Sequence, residues 1–338
     1  MAYTTINKST DYFNTKLYTG NGSTQSITGV GFTQDFTWIK SRSTVQAHYV
    51  FDKIRGAGAQ IYPSSVSSQD TGQTNGLSAF TSDGFNLGTE TGVNGNGATF
   101  ASWNWKANGT GVANTAGSIS STVSANTTSG FSIVSYTGTG ANATVGHGLG
   151  SLCKWIIIKR LNGGNNWEIG NTAMGWGKHI YFTTTAQLTN SNRFQNTAPT
   201  NSLFYIGTGE GVNASGGNYI AYCFAEKQGY SKFGSYTGNG SADGVFIYTG
   251  FKPAFVMMKN ASQAGKWLMM DNKRPTSGGN PNNARLFADV SNVESTTSNM
   301  IDMLSNGFKV RTSDTDHNAS GDTNIYMAFA EEPLVGSN

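Results

Sequence analysis

Ser135-Tyr136-Thr137-Gly138-Thr139-Gly140 is one of three copies of the same phrase; the others are Leu17-Tyr18-Thr19-Gly20-Asn21-Gly22 and Ser235-Tyr236-Thr237-Gly238-Asn239-Gly240. Each copy is followed by an apolar phrase ending in lysine: Phe36-Thr37-Trp38-Ile39-Lys40, Trp155-Ile156-Ile157-Ile158-Lys159 and Phe255-Val256-Met257-Met258-Lys259. A third phrase closes each unit: Phe100-Ala101-Ser102-Trp103-Asn104-Trp105, Tyr219-Ile220-Ala221-Tyr222-Cys223-Phe224 and Asn324-Ile325-Tyr326-Met327-Ala328-Phe329. Three phrases in one order define three homologous units, each of roughly a hundred residues. The repeat separates what every unit needs in order to fold from what one unit alone carries.

Short apolar or alternating runs bounded by Gly, Asn, Ser, Thr and Asp read as strands throughout. Helical periodicity is confined to one short turn expected at 298–304. The run 155–159 reads as a strand buried on both faces, and Phe100, Trp103 and Trp105 fall in a closing strand. The expected fold is all-β, with three tandem β-sandwich units of jelly-roll or lectin-like type. The expected boundaries are an N-terminal arm at 1–16, unit one at 17–106 and a flexible linker of small residues at 107–118. Unit two then covers 119–229, and unit three, with a short C-terminal tail, covers 230–338. Unit two should open with a hairpin of 119–123 and 131–136, and the short junction at 227–233 predicts that units two and three pack together.

Composition narrows the function. Of 338 residues 12% are charged and 12% aromatic, with a net charge of +3, which is the balance of a folded, weakly charged protein. The lysines and arginines are scattered and form no basic stripe, so nucleic acid is not an expected partner. No window is apolar enough for a membrane span or a secretory leader, and membrane insertion is not expected. Cys153 and Cys223 are too few for a disulfide framework or a zinc site and read as buried free thiols of a chain made in a reducing cytoplasm.

The copies also weigh the conspicuous residues. Eight positions after the three lysines stand His48, Trp167 and Trp267, and twelve after them stand Asp52, Asn171 and Asp271. The first set reads as core packing, with His48 a partly buried histidine, and the second as side chains capping a turn. Before each closing strand lies Asn94, Asn213 or Asn318; only the third copy is acidic, with Asp314, Asp316, Asn318 and Asp322 at spacings that resemble a calcium loop. No glutamate closes that loop and Gly321 is misplaced for one, so a polar hairpin loop is expected and calcium is the weak alternative. The histidines His48, His147, His179 and His317 sit in no catalytic motif, so neither an enzyme nor a cofactor is expected. A glycan-cleaving pair of carboxylates is the remaining enzymatic alternative, since such pairs meet only in the fold.

Loops after the Asp/Asn position are the candidate binding surface, and all three should emerge at one end of their units. Unit two carries Trp176, Lys178 and His179 there, unit one Lys53 and Arg55, and unit three Lys273 and Arg274. An exposed Trp176 would be a stacking platform for a sugar ring; a Trp176 folded back over its unit is the alternative.

The wording "GFSIVSYTGTGANATVGHGLG", "NASGGNYIAYCFAEKQGYSKFGSYTGNGS" and "LSNGFKVR…NASGDTNIYMAFAE" resembles a repeat domain of virion proteins from marine tailed phages, including cyanophages and pelagiphages. "FTWIKSR…HYVFDKIRGA…ASWNWKA" is similar to the domain that often precedes it. The resemblance runs from about residue 15 to 331 and implies a virion structural protein of tail-fibre type, made in the host cytoplasm. It also implies other virion proteins as partners, host-surface glycan as a target, and, by fibre precedent, a homotrimer. Only about sixteen residues precede the first phrase, with no heptads or shaft, which favours the alternative of a capsid decoration protein, a knob or cement.

Overall fold

The computed structural model of the chain describes residues 4–182, 187–189, 192–275 and 279–332. The phrases become strands, and the three units repeat one sheet. Its order is opening strand, closing strand, lysine strand, outer strand, all antiparallel. The opening strands are Phe13–Thr19, Phe131–Thr137 and Ser231–Thr237, and the closing strands are Thr99–Trp105, Asn218–Ala225 and Thr323–Glu332. The lysine strands are Phe36–Ser41, Cys153–Arg160 and Lys252–Asn260, followed by the outer strands Tyr49–Asp52, Glu168–Asn171 and Leu268–Asp271. Each large sheet faces a small one of two or three strands across its own apolar cluster. The fold is all-β, with one four-residue helix before each closing strand, at Thr91–Asn94, Glu210–Asn213 and Thr315–Asn318.

The opening phrase is the fastening for that helix. Tyr18, Tyr136 and Tyr236 donate their hydroxyls to the carbonyls of Val93, Val212 and His317 at 2.7, 2.7 and 2.6 Å. The following glycine lets the two backbones touch: a Cβ on Gly20, Gly138 or Gly238 would lie 2.3, 2.4 or 2.3 Å from a carbonyl oxygen just past the helix. Asn94, Asn213 and Asn318 complete the joint, each accepting a backbone N–H from the opening turn, at Asn21, Thr139 and Asn239.

The other face of each large sheet decides the architecture. Alternate residues of unit two's lysine strand, Ile156 and Ile158, enter its own cluster, whereas Trp155 and Ile157 enter a fourth cluster. Phe36 and Trp38 of unit one and Phe255 and Met257 of unit three enter that same fourth cluster, as do Trp103, Trp105, Tyr222, Phe224, Met327 and Phe329 of the closing strands. The three units therefore close around a shared aromatic core and are not beads in series.

Several expected boundaries change accordingly. The stretch 107–118 is not a free linker: Val112–Asn114 pairs with Ser121–Asn126 at the edge of unit two's sheet, and Asp35 of unit one accepts the N–H groups of Ala107 and Gly109 at 2.8 and 3.2 Å. The N-terminal arm is part of the body, since Ile6 lies in the shared core and the opening strand starts at Phe13. The turn expected at 298–304 is instead a strand, Ile301–Leu304, whose inward residues alternate. The hairpin opening unit two forms as expected from Ser121–Asn126 and Phe131–Thr137, and both cysteines are buried free thiols. The tail beyond Glu332 lies outside the described residues.

Candidate functional site

The residues after the Asp/Asn position mostly hold the units to one another or to their own cores. His48, Trp167 and Trp267 form a cycle of hydrogen bonds between units. His48 Nε2 donates to the carbonyl of Phe287 in unit three at 2.8 Å. Trp167 Nε1 donates to Tyr62 in unit one at 2.9 Å, and Trp267 Nε1 to Tyr181 in unit two at 2.7 Å. His48 Nδ1 accepts the indole N–H of Trp38, so the ring is neutral, and burial beside Lys40 holds its pKa well below the ordinary value.

The carboxylates of Asp52 and Asp271 cap their turns as expected, and each also takes a donor from another unit. Asp52 binds Arg55 at 2.6 Å and the hydroxyl of Tyr222 at 2.8 Å. Asp271 binds Arg274 at 2.5 Å and the indole N–H of Trp103 at 2.9 Å. Arg274 also reaches Glu294 at 2.8 Å, and its guanidinium lies over the Trp103 ring. Arg55 and Arg274 are buried ion-pair partners and present nothing to a glycan.

Trp176 is only 6% exposed and packs edge-on against Phe194 in unit two's own cluster. It covers the unit's interior and offers no sugar platform. His179 is buried on the strand Lys178–Tyr181, bonded to the Tyr181 hydroxyl at 3.1 Å, with Glu168 Oε2 3.7 Å away. Glu168 accepts from Arg193 at 2.8 Å; burial pushes its carboxyl up to about 7 and the His179 imidazole down to about 4. Lys178 is half-buried on that strand, Lys53 pairs with Asp35 at 3.0 Å, and Lys273 alone of the seven candidates is exposed.

The acidic third copy is equally committed to its own loop. Asp314 caps the helix at the N–H of Asp316, Asp322 accepts from the Asn260 amide, and the Asn318 amide donates to the carbonyls of Ser241 and Thr312. Among the described residues no three His, Cys, Asp or Glu side chains group as metal ligands.

A cleft lies where units two and three meet, with a volume of about 480 Å³, within the range of about 300–1,000 Å³ typical of small-molecule sites. Leu152 and Lys154 come from the start of unit two's lysine strand, Glu226 from just past its closing strand, and Lys232 from the opening strand of unit three. Tyr248, at the end of the small-sheet strand Phe246–Tyr248, also lines the cleft. Glu226 anchors both ammonium groups, Lys154 at 3.0 Å and Lys232 at 2.7 Å. Tyr248 is 61% exposed and Leu152 42%, so an aromatic and an apolar side chain reach solvent in the same cleft as this charged triplet.

The cleft's lining is particular to this junction. Spacing within the phrases puts Asp35 and Ala254 where unit two has Lys154, and Ala107 and Glu331 where it has Glu226. Register puts Thr28 and Gly146 where unit three has Tyr248. Comparing the three copies at these positions would have singled out Tyr248 from sequence. The loops that carry Trp176 are where the copies differ most in length and composition, whereas Tyr248 differs from its counterparts by a single residue within a strand.

A family model described as Domain of unknown function (DUF7483) matches residues 8–333. Neither the curated proteins nor the solved structures contain a match to the chain.

Proposed function

We propose a carbohydrate-binding role for this chain, which belongs to the DUF7483 family: it is a non-catalytic surface protein of a tailed-phage particle that attaches to host glycan through the cleft between its second and third units. The observation that carries the reading is Tyr248, an exposed ring beside paired ammonium and carboxylate groups in a cleft of ligand size. An aromatic face suits the C–H face of a pyranose, and charged and hydroxyl groups alongside suit its oxygens. The phage assignment rests on the resemblance of the repeated phrases to marine-phage virion proteins. Binding is favoured over cleavage because the cleft is lined by a single carboxylate, Glu226, already divided between two lysines, whereas glycoside hydrolysis ordinarily uses a pair.

The test is a glycan array, followed by titration of host-surface polysaccharide with the full chain displayed multivalently. Tyr248→Ala is expected to weaken binding about tenfold, the usual cost of losing one stacked aromatic contact. Equal binding by the variant would remove the cleft from the proposal, and no binding by the parent chain would remove the carbohydrate role.

Capsid decoration is the second reading, favoured by the use of the end loops as contacts between units. Labelling intact particles with antibody to the chain separates the two: label over the whole shell supports decoration, and label confined to the tail supports attachment.

A further inference from the structure

We infer that the cleft selects acidic sugars, rings bearing a carboxylate or sulfate, over neutral ones; this rests on the carbohydrate reading above and adds the ligand's charge to it. The argument is one of unspent donors. Glu226 is largely buried, and its two oxygens are divided between Lys154 and Lys232. An ammonium group carries three N–H donors, and the contact with Glu226 engages one on each lysine. The side chains of both lysines are about a third exposed, at 32% and 38%, and both line the cleft, so the remaining donors are open to a ligand there. Two positive charges and one negative leave the lining with a net charge of +1, since its other side chains, including Ser151, Gln228, Ser231 and Thr249, are neutral.

Neither of the other two junctions repeats this charge pattern. Lys154 stands where the other units have Asp35 and Ala254, and Lys232 stands where register places Asn14 and Ser132. Tyr248 and both lysines line one cleft, so a sugar held against Tyr248 shares that cleft with the two ammonium groups. Lysine is a compact point charge that imposes no planar geometry, so carboxylate and sulfate are both accommodated.

The experiment titrates the full chain with three matched oligosaccharides, one uronate, one sulfated and one neutral, at low and high salt. The acidic ligands are expected to bind about tenfold tighter than the neutral one, as two partly exposed charge contacts would give, with the difference shrinking at high salt. In the Lys154→Gln/Lys232→Gln double variant the preference should vanish while neutral binding persists. Tyr248→Ala should weaken all three ligands alike. Preference for either acidic ligand, lost in the lysine variant, supports the inference, and comparison of the two names the group. Equal binding of acidic and neutral sugars, or a preference that survives the lysine variant, overturns the inference and leaves the carbohydrate role standing. Binding of none overturns both. Thermal melts of the variants confirm that each is folded before its result is counted.

Discussion

At the scale of single residues, Asp52 receives the hydroxyl of Tyr222 and Asp271 the indole N–H of Trp103, while the third copy of the position is Asn171. Register aligns Trp103 and Tyr222 with Met327, which has no N–H or O–H to give, and the arginine three residues on becomes Met174. Charge, counter-charge and donor thus change together across three copies in one chain. Arg55→Met alone should cost about 3–5 kcal/mol in denaturant unfolding, because it strands a buried carboxylate. Adding Asp52→Asn, which reproduces the Asn/Met pair of unit two and leaves Tyr222 an amide oxygen to donate to, should recover much of that loss; a double variant no better than the single would contradict this account. Glu168 gives a pH test. Its folded pKa is raised to about 7 against an ordinary 4.5, so the unfolded chain releases this proton first and the side chain's contribution to stability falls between about pH 4.5 and 7. Glu168→Gln does not titrate and should gain on the parent by about 3 kcal/mol across that window, measured as the difference between two urea titrations. The turn-capping role of the Asp/Asn position was legible in sequence, since its partners are three residues away or fewer. Its second partner was not, since Tyr222 lies 170 residues from Asp52.

At the scale of elements, the opening phrase was legible as a repeat but not as a joint, because the helix it fastens is four residues long and leaves no periodic trace. Its glycines are fixed by close approach. Gly238→Ala would put a Cβ 2.3 Å from the Ala319 carbonyl, and the strand or the helix must then shift. We expect a loss of about 1–3 kcal/mol, as for other overpacked sites, read from the thermal midpoint; an unchanged midpoint would contradict the joint. The run 155–159 within the strand Cys153–Arg160 showed in sequence that both faces are apolar, and both are buried. What covers the second face was not readable, because an apolar run looks the same against a neighbouring sheet of its own unit or of another.

At the scale of the whole molecule, the shared core makes the units interdependent. A fragment covering 119–229 would expose Trp155, Ile157, Trp167, Tyr222 and Phe224 together, and it should aggregate or fail to give a cooperative melt. The full chain should unfold in one transition followed alike by tryptophan emission and circular dichroism; three resolved transitions would show the units to be separable. Three units of one chain close on one another around that core. The hydrogen-bond cycle through His48, Trp167 and Trp267 sets a limit on that arrangement. Each unit gives one bond and receives one, so the circuit is complete at three. An open solenoid can gain or lose a repeat at its ends, but this ring has no end, and its copy number is set by geometry.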